Sequence, residues 1–155
     1  MSIQKKSRFN IAADPWVRES ILKLQGAMID SGCPKRSDGS LDKIKGYRVE
    51  HRFAKGMYIR ECHVPAGMIF ISELHKYDHP YFMLKGSNYI ISESGSVFLK
   101  APCNGITKAG TKRIIYVPED TIFITCHATE SVDVEEIESE IIAKSYEEFE
   151  LEDRL

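Results

Sequence analysis

Glu73, His75 and His79 lie between Gly67 and Gly86 in a stretch otherwise rich in strand-forming residues, and together they offer a carboxylate and two imidazoles. Alternate side chains of an extended strand share a face, so Ile69, Ile71, Glu73 and His75 are expected on one side, with Met68, Phe70, Ser72 and Leu74 on the other. Lys76, Tyr77 and Asp78 make a polar turn that swings His79 alongside, with Tyr81 and Met83 on its face. Such a set, converging inside a barrel, leaves coordination positions open on Fe(II), Mn(II), Ni(II) or Zn(II).

Other side chains compete with that reading or complete it. Arg60 sits mid-strand between Tyr58 and Cys62, and an inward guanidinium needs a carboxylate or an anionic ligand. If Glu73 is that carboxylate, it is a counter-ion and the metal set shrinks to two histidines. Lys112 and Arg113 follow Gly110 as candidate anion anchors. His127 is a further donor: a turn at Pro118, Glu119 and Asp120 would return its strand beside Arg113, with inward and outward orientations both open. Without a metal, His75 and His79 are hydrogen-bonded interior histidines. His51 and His63 read as surface or packing residues without partners, Cys62, Cys103 and Cys126 as buried, inert thiols. Tyr81 and Tyr116 read as barrel-lining aromatics with a hydroxyl to donate.

The elements that must position these groups are written in the spacing. Residues 1–13 read as a loose arm. Asp14 as N-cap and Pro15 at the first helical position open a helix, carried by Trp16, Ile21, Leu24 and Met28 and stopped at Gly32. Its apolar stripe packs on the barrel or on a second subunit, and residues 34–46 form a loop. From Tyr47 to His127, seven or eight short Ile-, Val-, Tyr-, Phe- and Thr-rich segments are separated by Gly and Pro without helical spacing, which predicts a sandwich or barrel. Val134, Ile137 and Ile141 then mark one face of an amphipathic helix within residues 131–142. Ser145 and Glu148 form a capping box for a short last helix that buries Tyr146 and Phe149. The divisions are 1–46, arm and helix; 47–128, barrel; and 129–155, acidic helices; all within a single domain.

The chain has 155 residues, enough for one core and too few for a second full domain. Its net charge of −2 hides an asymmetry: about +7 through His127 and −9 from Ala128 onward. The basic body suits an anionic ligand, and the acidic tail lies against it or is a solvated helix face. Four cysteines with no CxxC pair, and no leader, indicate free thiols and a cytoplasmic setting. No apolar run is long enough to span a bilayer. Lys5, Lys6 and Arg8 are too few for a nucleic-acid arm.

The spacing Gly67, Glu73, His75, His79, Gly86 resembles the first motif of the cupin superfamily: Gly, five residues, His-x-His, three or four residues, Glu, six residues, Gly. Glu73 stands at the first His, His75 at the second and His79 at the Glu. Lys108 to Arg113 is similar to the second motif, Pro-x-Gly-x-x-His, with Lys108 replacing the Pro and Arg113 at the fourth ligand, where arginine cannot ligate. The likeness covers Tyr58 to His127, about half the chain, and looks particularly like small cupin-like proteins of tailed bacteriophages and prophages. It implies a mainly β fold, a cupin-type double-stranded β-helix (jelly-roll barrel) with an N-terminal helix and C-terminal amphipathic helices, commonly a homodimer. Related barrels run isomerase, lyase and oxygenase chemistry. Two readings follow. In one, a divalent metal on His75, His79, Glu73 and His127 acts on a small anionic molecule anchored by Arg113, Lys112, Arg60 and Tyr81. In the other, the protein has no metal and no turnover, and sequesters an anion such as a nucleotide or contacts a host or virion protein.

Overall fold

The computed structural model describes residues 15–34 and 39–152. The arm and the Asp14 cap lie outside the described residues. Helix α1 (Pro15–Asp30) ends where Gly32 N–H bonds Ile29 and Cys33 N–H bonds Met28. Of its expected stripe only Ile21 is buried; Trp16 and Leu24 are exposed. The loop after it contains one 3-10 turn, Leu41–Lys43.

Eight strands follow: β1 (Arg48–Ala54), β2 (Met57–Val64), β3 (Ile69–Ile71), β4 (Leu74–His75), β5 (His79–Ser92), β6 (Gly95–Lys100), β7 (Cys103–Thr107) and β8 (Arg113–Ala128). All but β4 pair antiparallel in one continuous sheet of seven strands. The two long strands carry the architecture. Residues 79–83 of β5 lie between β7 and the end of β8, whereas residues 87–92 lie between β6 and the start of β8. The second half of β8 pairs with β2 and its first half with β3. Each long strand thus belongs to two facing layers and bends where it passes between them.

Pro118, Glu119 and Asp120 are therefore not the reversal expected from sequence, because β8 continues through them. Pro118 has no N–H to give a ladder, and it sits where the neighbour of β8 changes from β3 to β2. Gly86, on the adjacent strand, has φ +85°, and a Cβ there would lie 2.5 Å from the Asp120 carbonyl oxygen. Only glycine lets the two bent strands approach so closely.

The tail closes one end. Helix α2 (Val134–Ile141) starts at Asp133, whose side chain accepts from Glu136 N–H, and it buries Ile137 and Ile141 against Tyr58. Burying two isoleucines contributes on the order of 3–6 kcal/mol before entropy. A short strand not expected from sequence, β9 (Ile142–Ala143), then pairs with β4. Helix α3 (Tyr146–Glu152) has the capping box with one change: Glu148 N–H bonds the Ser145 hydroxyl, but the Glu148 carboxylate receives Lys144 N–H instead of Ser145 N–H. Tyr146 and Phe149 are half-buried. No helix among the described residues is long and apolar enough to cross a membrane.

Candidate metal centre

A cavity of about 520 Å³ lies within the barrel, and α1 and α2 contribute to its wall. His75, His79 and His127 meet there. One ring nitrogen of each lies within 4.8 Å of the other two. The ring centroids are 4.3 Å apart for His75 and His79, 4.5 Å for His79 and His127, and 5.3 Å for His75 and His127. Separate pairings bring each ring in. His75 pairs with Ile142 of β9, and the next residue, Lys76, donates its N–H to Ile141. His79 pairs with Thr107, and His127 with Tyr58.

The polar contacts of the rings are sparse. His79 Nδ1 lies 3.4 Å from the Tyr77 carbonyl. A carbonyl only accepts, so that nitrogen carries the proton and Nε2 keeps its lone pair. His127 Nε2 meets the Thr125 hydroxyl at 3.1 Å. His75 Nδ1 and His79 Nε2 are buried with no hydrogen-bond partner among the described residues. Burial, then the charges of His79, His127, Arg113 and Arg60, push His75 down to about 2. Burial, then His79 and Arg60, take His127 to about 3. Burial also lowers His79, against the Tyr77 carbonyl. All three rings are neutral near pH 7, the protonation state that ligates a metal. Neutral, clustered imidazoles with unengaged nitrogens fit a divalent transition ion.

Glu73 is not in this cluster. The strand breaks after Ile71, Ser72 accepts from Arg113 N–H, and β4 resumes only at Leu74, so the alternation that put Glu73 beside His75 is lost. Glu73 borders the cavity with an exposed side chain. Nor is it shown against Arg60, whose Nη1 donates to Cys62 Sγ at 2.6 Å. Burial opposes the Arg60 charge, yet Cys62, Tyr47, Tyr58 and Glu138 hold its pKa above the ordinary value. Arg113 lines the cavity with one long contact, Nη1 to the Thr107 hydroxyl at 3.4 Å. Burial lowers its pKa, with only the Tyr81 phenol opposing. The Nε atoms of both arginines are buried and unpartnered among the described residues.

Lys112 and Tyr81 do not line the cavity. Lys112 precedes β8 and is buried elsewhere, its pKa lowered by burial against the field of Glu73. Tyr81 stacks on Phe123 and packs over Gly105, the residue opposite it on β7. His51 and His63 have partners after all: His51 meets the Tyr58 hydroxyl at 2.7 Å, and His63 meets Glu61 at 2.6 Å. Of the cysteines, Cys62 is buried, while Cys33, Cys103 and Cys126 are half-buried. Glu138 and Thr125 were missed from sequence. Glu138 carried a signal, since it falls on the apolar stripe of Val134, Ile137 and Ile141, where a carboxylate needs a buried cation.

No family model and no curated protein matches this sequence. Among solved structures, ectoine synthase from P. lautus is similar, with a TM-score of 0.52 and 10% identity over 63% of this chain and 73% of that one. A cupin domain from Bordetella pertussis superposes more loosely, at a TM-score of 0.43 with 14% identity over 54% of this chain and 94% of that one. Hydroxypropylphosphonic acid epoxidase from S. wedmorenis gives a TM-score of 0.46 and 8% identity over 55% of this chain and 52% of that one. Of these three, only the ectoine synthase likeness, above a TM-score of 0.5, bears on this chain, and at 10% identity it speaks to fold alone. The two-layered antiparallel barrel with flanking helices is a jelly roll of the cupin fold.

Proposed function

We propose that the barrel binds a divalent transition metal through His75, His79 and His127 and, with Arg113, holds a small anionic molecule. The observation that carries this reading is the convergence of three neutral imidazoles, two of them with buried nitrogens unpartnered among the described residues, beside two half-buried arginines whose Nε atoms are buried. An unsatisfied buried polar nitrogen costs about 1–3 kcal/mol, and an ion on the three rings would relieve two of them together. Imidazole alone does not select among Fe, Mn, Ni and Zn. When bound, the ion would supply Lewis acidity and an open coordination position. Three neutral ligands leave its charge uncompensated and Arg113 adds to it, so the remaining ligand is best an anion. The chain's own part is to orient that anion through Arg113 and to keep water out with the apolar wall.

The two guanidiniums also favour a second reading, a metal-free binder that sequesters a small anion such as a nucleotide without turnover. A phage or prophage setting, implied by the sequence resemblance, would place that anion in a host cell. Metal content by mass spectrometry, on untagged protein purified without chelator, separates the two. Near-stoichiometric metal that disappears in a His75→Ala/His79→Ala variant supports the metal centre. Metal-free wild type would overturn it and leave the anion binder.

For the homodimer, we propose as its contact the outer face of the layer made by β3, the start of β8, residues 87–92 of β5, and β6. Phe98, Tyr89, Tyr116 and Ile69 are register partners in one row across four strands, with exposures of 48, 52, 40 and 53%. An exposed apolar patch of a few hundred Å² is commonly an interaction site, and a stable dimer needs about 800 Å² per partner, so this row would form its centre.

A further inference from the structure

We infer that the anion held in this cavity is a singly charged acid with an apolar tail. The inference rests on the anion site proposed above and names its ligand class. The inward residues of β2 change character along the strand. Tyr58 pairs with His127, Arg60 with Thr125, Cys62 with Phe123 and Val64 with Thr121, so beyond Arg60 the inward side chains of β2 turn apolar, and the Thr121 hydroxyl there is taken by the Ser87 and Glu119 carbonyls. Val64 then joins Cys62, Ile90, Ile115 and Val117 in one buried cluster. These five line the same cavity as the histidines, and Met28 and Ile29 of α1 extend the apolar wall. Asn88 and Thr121 are polar at that end, and neither brings a charge.

Charge is confined to the other end and is unevenly matched. Arg60 has the Cys62 sulfur and the field of Glu138. Arg113 has a long contact to a hydroxyl and no carboxylate contact among the described residues. One guanidinium thus awaits one acidic head, and a planar fork suits a carboxylate. The volume of about 520 Å³ equals roughly 17 water volumes at about 30 Å³ each, room for a head group and about six to ten carbons. A second charge on the ligand would fall among Val64, Ile115 and Val117, where nothing pairs with it.

Calorimetric titration of the full-length protein with straight-chain alkanoates from acetate to dodecanoate tests this. Octanol, octanedioate and inorganic phosphate are run alongside. Affinity should rise about fourfold per methylene from butanoate to octanoate and level off by dodecanoate. Octanol and octanedioate should bind at least tenfold more weakly than octanoate. An Arg113→Met variant should bring octanoate down to octanol. An Ile29→Asp variant, at a half-exposed wall position that puts folding at little risk, should weaken octanoate and leave phosphate unchanged. Phosphate and acetate binding as tightly as octanoate would overturn the apolar-tail proposal while the anion site stood. No binding by phosphate or any alkanoate would overturn both, and metal content of the same samples reports separately on the histidine centre.

Discussion

His75 and His127 titrate near 2 and 3 in the folded chain, against an ordinary value of 6.5. In the unfolded chain each takes up a proton as pH falls through 6.5, and the folded protein refuses it, so stability declines below that pH and keeps declining toward pH 3. At pH 5 the refused titration amounts to about 2 kcal/mol per ring at most. Urea denaturation of chelator-treated protein should therefore show a lower midpoint at pH 5 than at pH 7, and His127→Asn should reduce the difference by roughly half, His75 keeping its share. An unchanged midpoint would mean that these rings are not held neutral by burial. A bound metal should raise the midpoint at both pH values by mass action and leave the slope in place, because metal-bound rings refuse the proton as well.

At the scale of elements, the crossing of β5 and β8 between layers is the feature on which the cavity depends. Gly86→Ala would place a Cβ 2.5 Å from the Asp120 oxygen and 2.8 Å from Thr121 Cα, both backbone atoms, at φ +85°. A loss of about 3 kcal/mol or more is expected in urea denaturation. Gly67→Ala, at φ +88° with nothing within 4 Å, should cost only about 1–2 kcal/mol. Equal costs would mean that close strand approach does not decide the bend. Besides buried Ile21, helix α1 is held by Arg18, which pairs with Glu93 at 2.6 Å and lies 3.9 Å over the Tyr146 ring. Arg18→Ala should cost about 1 kcal/mol and speed hydrogen exchange across residues 15–30. Protection unchanged from wild type would show that the helix is held without Arg18.

The whole molecule has one face rich in exposed aromatics and one acidic tail. The tail is part counter-ion and part solvated surface: Glu148 reaches Lys76 and Glu150 reaches Arg18, while Glu135 and Glu147 face solvent. The proposed dimer makes a direct prediction for light scattering. Wild type should give twice the monomer mass at micromolar concentration, and Tyr89→Lys/Phe98→Lys should give the monomer with unchanged circular dichroism. A monomeric wild type would remove that face as a contact between copies.

The barrel, its flanking helices and the pairing of His75 with His79 were legible in sequence, because period-two runs, Gly and Pro punctuation and helical stripes are local consequences of backbone geometry. Arg113 and Arg60 were likewise picked out as cations on strands, where a buried guanidinium demands a partner. Tertiary structure decided the rest. Whether His127 faced inward depended on the pairing of Tyr58 with His127, set by registers between residues far apart in the chain. The position of Glu73 depended on a strand break at Ser72, whose hydroxyl is taken by a backbone N–H 41 residues away. Pro118 read as a turn because a missing N–H ends a ladder, yet here the ladder changes partner and the strand goes on. A sequence states which side chains alternate. Which of them meet, and which charge is left without a counter-ion, depends on how two bent strands cross.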